Sequence, residues 1–234
     1  MDSTPLLIGF VIMSLASLAI FAVGSKLPSV REHTYYHSIV PFIAATSYLA
    51  MTFGIGDFFK LDGTVTLTAR YIDWSITTPI LLTGLVVTAL FGRKSDPGFL
   101  VSVITLDVLM IVAGLISSMS TLPAMKLVWF AWSCAAFLGV LYILWGPLRA
   151  ISRSEGGAMD GAYAKNLVFL TVVWILYPVV FAIGPEGVHA ITPLATIWAI
   201  LVLDVVAKVV YAFYVAANID KAMKSMVAPE SYRA

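Results

Sequence analysis

The chain has a single cysteine, Cys134, which excludes an intrachain disulfide and says nothing of redox compartment. Charge is also low. Asp, Glu, Lys and Arg make up 12% of the 234 residues, where a soluble domain carries about a quarter. A net charge of +1 gives no reason to expect a nucleic-acid partner, and none is expected. The opening "MDST" lacks a basic stretch, so the first apolar run is expected to persist as a helix and not to be a cleaved leader. No repeat, low-complexity segment or second domain is visible. What fills the chain is apolar: 60% hydrophobic residues and a mean hydropathy of +0.96. That composition belongs to lipid.

A membrane-spanning helix needs about 20 mostly apolar residues. Hydropathy and breaker residues place seven spans, at 4–25, 34–56, 66–91, 98–119, 123–147, 162–184 and 191–219. The expected fold is therefore an all-α bundle of seven transmembrane helices in one domain, 1–234. Runs this long do not suit a transmembrane barrel, whose segments alternate over about 10 residues. The one longer polar stretch, "RAISRSEGGAMDGAYAK" at 149–165, reads as a loop. Basic residues set the orientation. With the N-terminus outside and the C-terminus cytoplasmic, the inner side holds Lys26, Arg31, Arg93, Lys94, Arg149, Arg153, Lys165, Lys221, Lys224 and Arg233. The outer side keeps Lys60 and Lys126.

Four charges stand inside spans: Asp73, Asp107, Asp204 and Lys208. Ionisable groups in a bilayer are costly and their default reading is functional. The bland alternative is a buried ion pair that fixes helix packing. Asp204 and Lys208 are i, i+4 and share a helix face about 6 Å apart along the axis. Asp73, with Arg70 one turn before it and Thr77 one turn after it, brings more charge than one packing pair requires. A lysine amine in a dry pocket also suits imine chemistry with an aldehyde. Trp74, Trp129, Phe130, Phe137, Trp174, Tyr177 and Phe181 are singly good core residues. As a set around a buried lysine they could line a slot for a long, flat, conjugated ligand.

"RYIDWSITTP" together with "LDVVAK" resembles the microbial rhodopsins. "VPFIAATSY", "LDVLMIVAG", "VWFAWS" and "WILYPVVFAIGPEG" extend the resemblance from about residue 35 to 215. The resemblance implies seven helices carrying all-trans retinal covalently on Lys208. It implies that Asp73 is counterion and proton acceptor, that Asp204 is the second counterion and that Arg70 lies beneath them. Tyr71, Trp74, Thr78, Met110, Gly114, Trp129, Phe130, Ser133, Phe137, Trp174, Tyr177, Pro178 and Phe181 match pocket positions. Tyr48 and Tyr177 match tyrosines that bond the second counterion. Asp107 and Thr78 match a structural tie between helices four and three.

Within that family Asp73 and Thr77 match the proton pumps. Gly84 departs from them, because an acid usually stands there as cytoplasmic proton donor. His37 matches the position of that donor's usual partner and is a candidate substitute, since histidine titrates near neutrality. Glu186 matches one member of a proton-release pair whose other position holds Thr196. Phe130 is bulky where antenna-binding relatives carry Gly, so no carotenoid antenna is expected. The resemblance implies a light-driven outward proton pump, slow for want of a donor, in a bacterial inner membrane and as a homo-oligomer. The alternative is a sensory photoreceptor acting through a separate transducer. In either case it is a light-driven transporter or receptor and not an enzyme.

Overall fold

In a computed structural model, residues 2–227 are described apart from Asp62, Lys94 and Ser95. Lys94 and Arg233, counted above among the inner-side cations, lie outside the described residues. Seven helices form the bundle: α1 (Thr4–Lys26), α2 (Arg31–Thr52), α3 (Thr68–Ala89), α4 (Pro97–Met119), α5 (Pro123–Glu155), α6 (Gly157–Ile183) and α7 (Pro193–Val227). Proline at the first helical position opens α4, α5 and α7, where a missing N–H costs nothing. Each of α1 to α5 packs on the next, and α6 packs also on α3 and α7. α7 returns to α1 and α2 and closes the ring.

All but α2 are long and apolar enough to cross a membrane. α2 falls short because it opens on the polar run "REHTYYHS". Its 22 residues still rise about 33 Å, enough for a bilayer core. The bundle inverts the soluble pattern. Leu15, Leu18, Val101 and Leu127 are exposed, whereas Asp73, Thr77, Asp107, Asp204 and Lys208 are buried. An exterior without polar groups is what lipid demands. The molecule is a multi-pass membrane protein.

Three expectations need correction. The second span was expected to reach residue 56, but α2 stops at Thr52. Gly54 and Gly56 then turn the chain at φ 67° and 81°, a region open to glycine. There follows an unforeseen antiparallel hairpin of β1 (Asp57–Phe59) and β2 (Val65–Leu67). It docks on the end of α4, where Thr66 Oγ1 and Lys60 Nζ donate to the Ser118 carbonyl at 3.0 and 2.9 Å. Lys60 is thus buried and caps a helix C-terminus, a favourable place for a cation. Finally, residues 149–165 are not a loop. α5 passes through a π-helical segment, Leu144–Leu148, around Pro147 and continues to Glu155. The chain breaks only at Gly156 and Gly157, both at positive φ. Asp160 ties the two helices by pairing with Arg149 and accepting from Ser152 Oγ at 2.8 Å.

Candidate functional site

α7 positions the central nitrogen. Its middle turn, Val205–Val210, is π-helical, a distortion that recurs at functional sites. Lys208 lies in that turn and is 2% exposed. Its Nζ contacts Asp73 Oδ2 of α3 and lies 3.5 Å from Asp204 Oδ1, one turn earlier on α7. A buried cation unpaired would be very costly. Here two carboxylates from two helices share it.

The carboxylates differ in their other partners. Asp204 accepts from Tyr48 Oη at 2.8 Å, from Tyr177 Oη at 2.9 Å and from Trp74 Nε1 at 3.4 Å. Its negative charge is met on three sides, by α2, α6 and α3. Asp73 has no such cage. Its Oδ1 has no donor among the described residues, and the Thr77 hydroxyl one turn on donates to the Asp73 backbone carbonyl at 2.9 Å.

From the amine an apolar slot runs between α3, α4, α5 and α6. Its walls include Trp74, Thr78, Met110, Gly114, Phe137 and Trp174, and Tyr71, Phe130, Ser133, Tyr177, Pro178 and Phe181 also face it. Edge-to-face contacts hold Tyr71, Trp74 and Tyr177 together, with centroids 5.4 and 5.3 Å apart. Phe130 and Phe181 stack at 5.0 Å, and Ser133 Oγ is held by the Met110 carbonyl at 2.8 Å. A Cβ at Gly114 would stand 3.5 Å from Ser133 Oγ and 3.7 Å from Tyr71 Cε1, so the bare backbone widens the slot.

Trp129 is the exception among the expected lining residues. It is half-buried and does not line the slot. Successive helix residues point about 100° apart, and on α5 the inward stripe is Phe130, Ser133, Cys134 and Phe137. Cys134, Ile111, Val180, Ile200 and Ala207 join the lining without having been expected there. Their apolar or weakly polar side chains carried no signal that separated them from ordinary core.

Asp107, fully buried, accepts from Thr78 Oγ1 at 2.6 Å, which joins α4 to α3 beside the slot. At one end the cavity reaches Arg70, Glu186 and Thr196. Arg70 is 9% exposed, and its Nε and Nη2 have no acceptor among the described residues. The Thr196 hydroxyl donates to the Thr192 carbonyl, as a serine or threonine commonly does in a helix. Three turns along α3 from Asp73 is Gly84. His37 of α2 stands directly against it: a Cβ there would be 3.3 Å from His37 Nε2 and 3.2 Å from Tyr36 Oη. His37 is 2% exposed and neither ring nitrogen has a partner among the described residues.

The donor set fits a conjugated aldehyde such as retinal. A primary amine can form a covalent imine, two carboxylates can balance its charge, and the rest of the slot is aromatic and apolar.

The sequence profile of the family described as Bacteriorhodopsin-like protein matches residues 1–222. Archaerhodopsin-2 of Halobacterium sp. (strain aus-2) is 35% identical over 212 residues, covering 88% of this chain and 80% of that one. The crystal structure of thermophilic rhodopsin from Rubrobacter xylanophilus superposes with a TM-score of 0.87 at 35% identity, covering 94% of this chain and all of that one. The light-driven proton pump Coccomyxa subellipsoidea rhodopsin superposes with a TM-score of 0.82 at 30% identity, covering 92% and 95%. Natronomonas pharaonis proteins named halorhodopsin and sensory rhodopsin-2 match as well, so membership alone does not select a transported ion. By sequence, by fold and by the lysine-centred slot, the chain belongs to the bacteriorhodopsin-like family, the microbial rhodopsins.

Proposed function

We propose that this rhodopsin is a light-driven outward proton pump of the plasma membrane, holding all-trans retinal covalently on Lys208. The observation that carries the reading is the unequal pair of carboxylates around Lys208 Nζ. When bound there, retinal supplies a light-driven change of shape that moves the Lys208 nitrogen and its proton relative to those carboxylates. Asp204 gains little from a proton, because three donors already meet its charge. Asp73 touches Lys208 and has a free oxygen, so it takes the proton. An anion pump would need a halide where Asp73 puts its own negative charge.

Direction follows from what lies at each end. The distribution of basic residues puts the Arg70 end outside. A proton leaving Asp73 that way passes the Arg70 guanidinium and meets one carboxylate, Glu186. Thr196 supplies no second carboxylate, so a proton shared between two acids is not available for release. At the inner end Gly84 has no proton to give. His37, buried against it, stands in as the shuttle between the cytoplasm and the Lys208 nitrogen.

The rival reading, a sensory receptor acting through a transducer, is favoured by Gly84, since slow return of the proton prolongs a signalling state. Illumination of cells or liposomes carrying the protein separates the two. Acidification on the outer side, abolished by a protonophore, is the expected result. A complete light cycle without net proton movement would favour the sensor.

A further inference from the structure

α1 contributes no residue to the slot, yet it reaches the counterions through one glycine. The buried stripe of α1 runs Leu6, Gly9, Met13, Ala16, Ile20 and Gly24, the i, i+3, i+4 pattern of a packed helix face. At Gly9 the neighbour is the Tyr48 ring. A Cβ there would lie 2.6 Å from Tyr48 Cδ1, 2.7 Å from Cε1 and 3.0 Å from Leu201 Cδ1. These are shorter than carbon atoms tolerate, since contact is optimal at about 3.5–4.0 Å. Tyr48 is 1% exposed, and Leu6, Met13, Ala44, Ala45 and Met51 belong to the same core cluster. A tyrosine ring is stiff and cannot fold away as the tip of a long side chain can. Its hydroxyl is the 2.8 Å donor to Asp204 Oδ2. Leu201, the other residue that the Cβ would strike, lies one turn before Asp204 on α7.

We infer that Gly9 is a positioning residue for the retinal site: its bare backbone sets where the Tyr48 hydroxyl meets Asp204. The inference rests on the proposed use of Asp204 as a counterion to Lys208. A methyl group at position 9 pushes the ring by up to about 1 Å. That is enough to take a 2.8 Å hydrogen bond beyond its working range. The counterion then loses one of three donors, and the charge felt at Lys208 changes, although nothing in the slot has been touched.

The test uses the full chain expressed with all-trans retinal. Absorption maximum and the midpoint of the acid-induced colour change are read for wild type, Gly9→Ala, Tyr48→Phe and the double variant. Gly9→Ala is expected to move the midpoint by about half a pH unit or more and to shift the absorption. In the Tyr48→Phe background, where no hydroxyl is left to displace, the same substitution is expected to move neither. Gly24→Ala is the packing control. Its Cβ would collide with Thr34 Oγ1 on the same α1–α2 seam, and it should lower the melting temperature without altering colour. A wild-type spectrum and midpoint in Gly9→Ala overturn the inference, as does an equal shift in Gly24→Ala. If Gly9→Ala forms no pigment, recovery in Gly9→Ala/Tyr48→Leu supports the steric coupling and failure to recover overturns it. Should wild type itself form no pigment, the retinal reading fails first, and visibly so.

Discussion

Replacing Asp73 by Asn removes one negative charge from the centre of the site at nearly constant volume. Lys208 and Asp73 are each 2% exposed, so solvent does little to screen the change. The second carboxylate remains. Asp204 Oδ1 lies 3.5 Å from Lys208 Nζ, which at an effective dielectric constant of about 20 is worth about 5 kcal/mol of attraction. That single pair should keep the lysine buried and the slot intact, so the variant should still fold and take up retinal. What it lacks is an acceptor, because an amide cannot take the proton and Asp204 has its charge satisfied by Tyr48, Tyr177 and Trp74. Outward transport in illuminated liposomes should fall at least about a hundredfold, the scale of losing a positioned proton acceptor. The absorption maximum should move to longer wavelength, since less negative charge faces the nitrogen. Asp204→Asn is the comparison. It leaves the Asp73 acceptor in place but removes the charge and one of the two oxygens that accept from Tyr48, Tyr177 and Trp74, so it should mainly impair pigment stability. Transport at the wild-type rate in Asp73→Asn would refute the assignment.

Three further outcomes follow from the same geometry. His37→Ala should slow recovery of the dark state about tenfold or more, followed as flash-induced absorbance, and recovery unchanged at every pH would sink the shuttle role. Gly84→Glu supplies a carboxyl beside His37 and, if the proposed cycle is limited by its donor, should speed that recovery. Because its Cβ presses on Tyr36 and His37 at 3.2–3.3 Å, it should also lower thermal stability by about 1 kcal/mol, and slower recovery would count against a donor-limited cycle. Thr78→Val removes the 2.6 Å bond to buried Asp107 and should cost about 1–3 kcal/mol, seen as a lower Tm that Thr78→Ser largely restores.

Much of the bundle was legible because lipid makes charge expensive. Seven apolar runs, four charges inside them and the i, i+4 spacing of Asp204 and Lys208 can be read along a line. The hairpin at 57–67 could not be, since Phe58 and Phe59 are as apolar as the end of a span and its pairing is non-local. The stretch 149–165 looked like a loop by its Ser, Gly and Asp content. It is helical because Arg149, Ser152 and Asp160 satisfy one another across the break at Gly156.

The amino-acid sequence by itself determined the membrane class and the lysine with its acids inside apolar spans, matters of residue type and spacing, while the reading of Gly84 as a missing donor came from the resemblance to the microbial rhodopsins. Only the tertiary structure decided which acid is caged by three donors, that Phe130 and not Trp129 faces the slot, that His37 lies against Gly84, and that Gly9 of α1 abuts Tyr48. Those depend on helix rotation and on contacts between residues far apart in the chain. Close packing fixes such contacts to within a fraction of an ångström, a precision that no one-dimensional pattern carries.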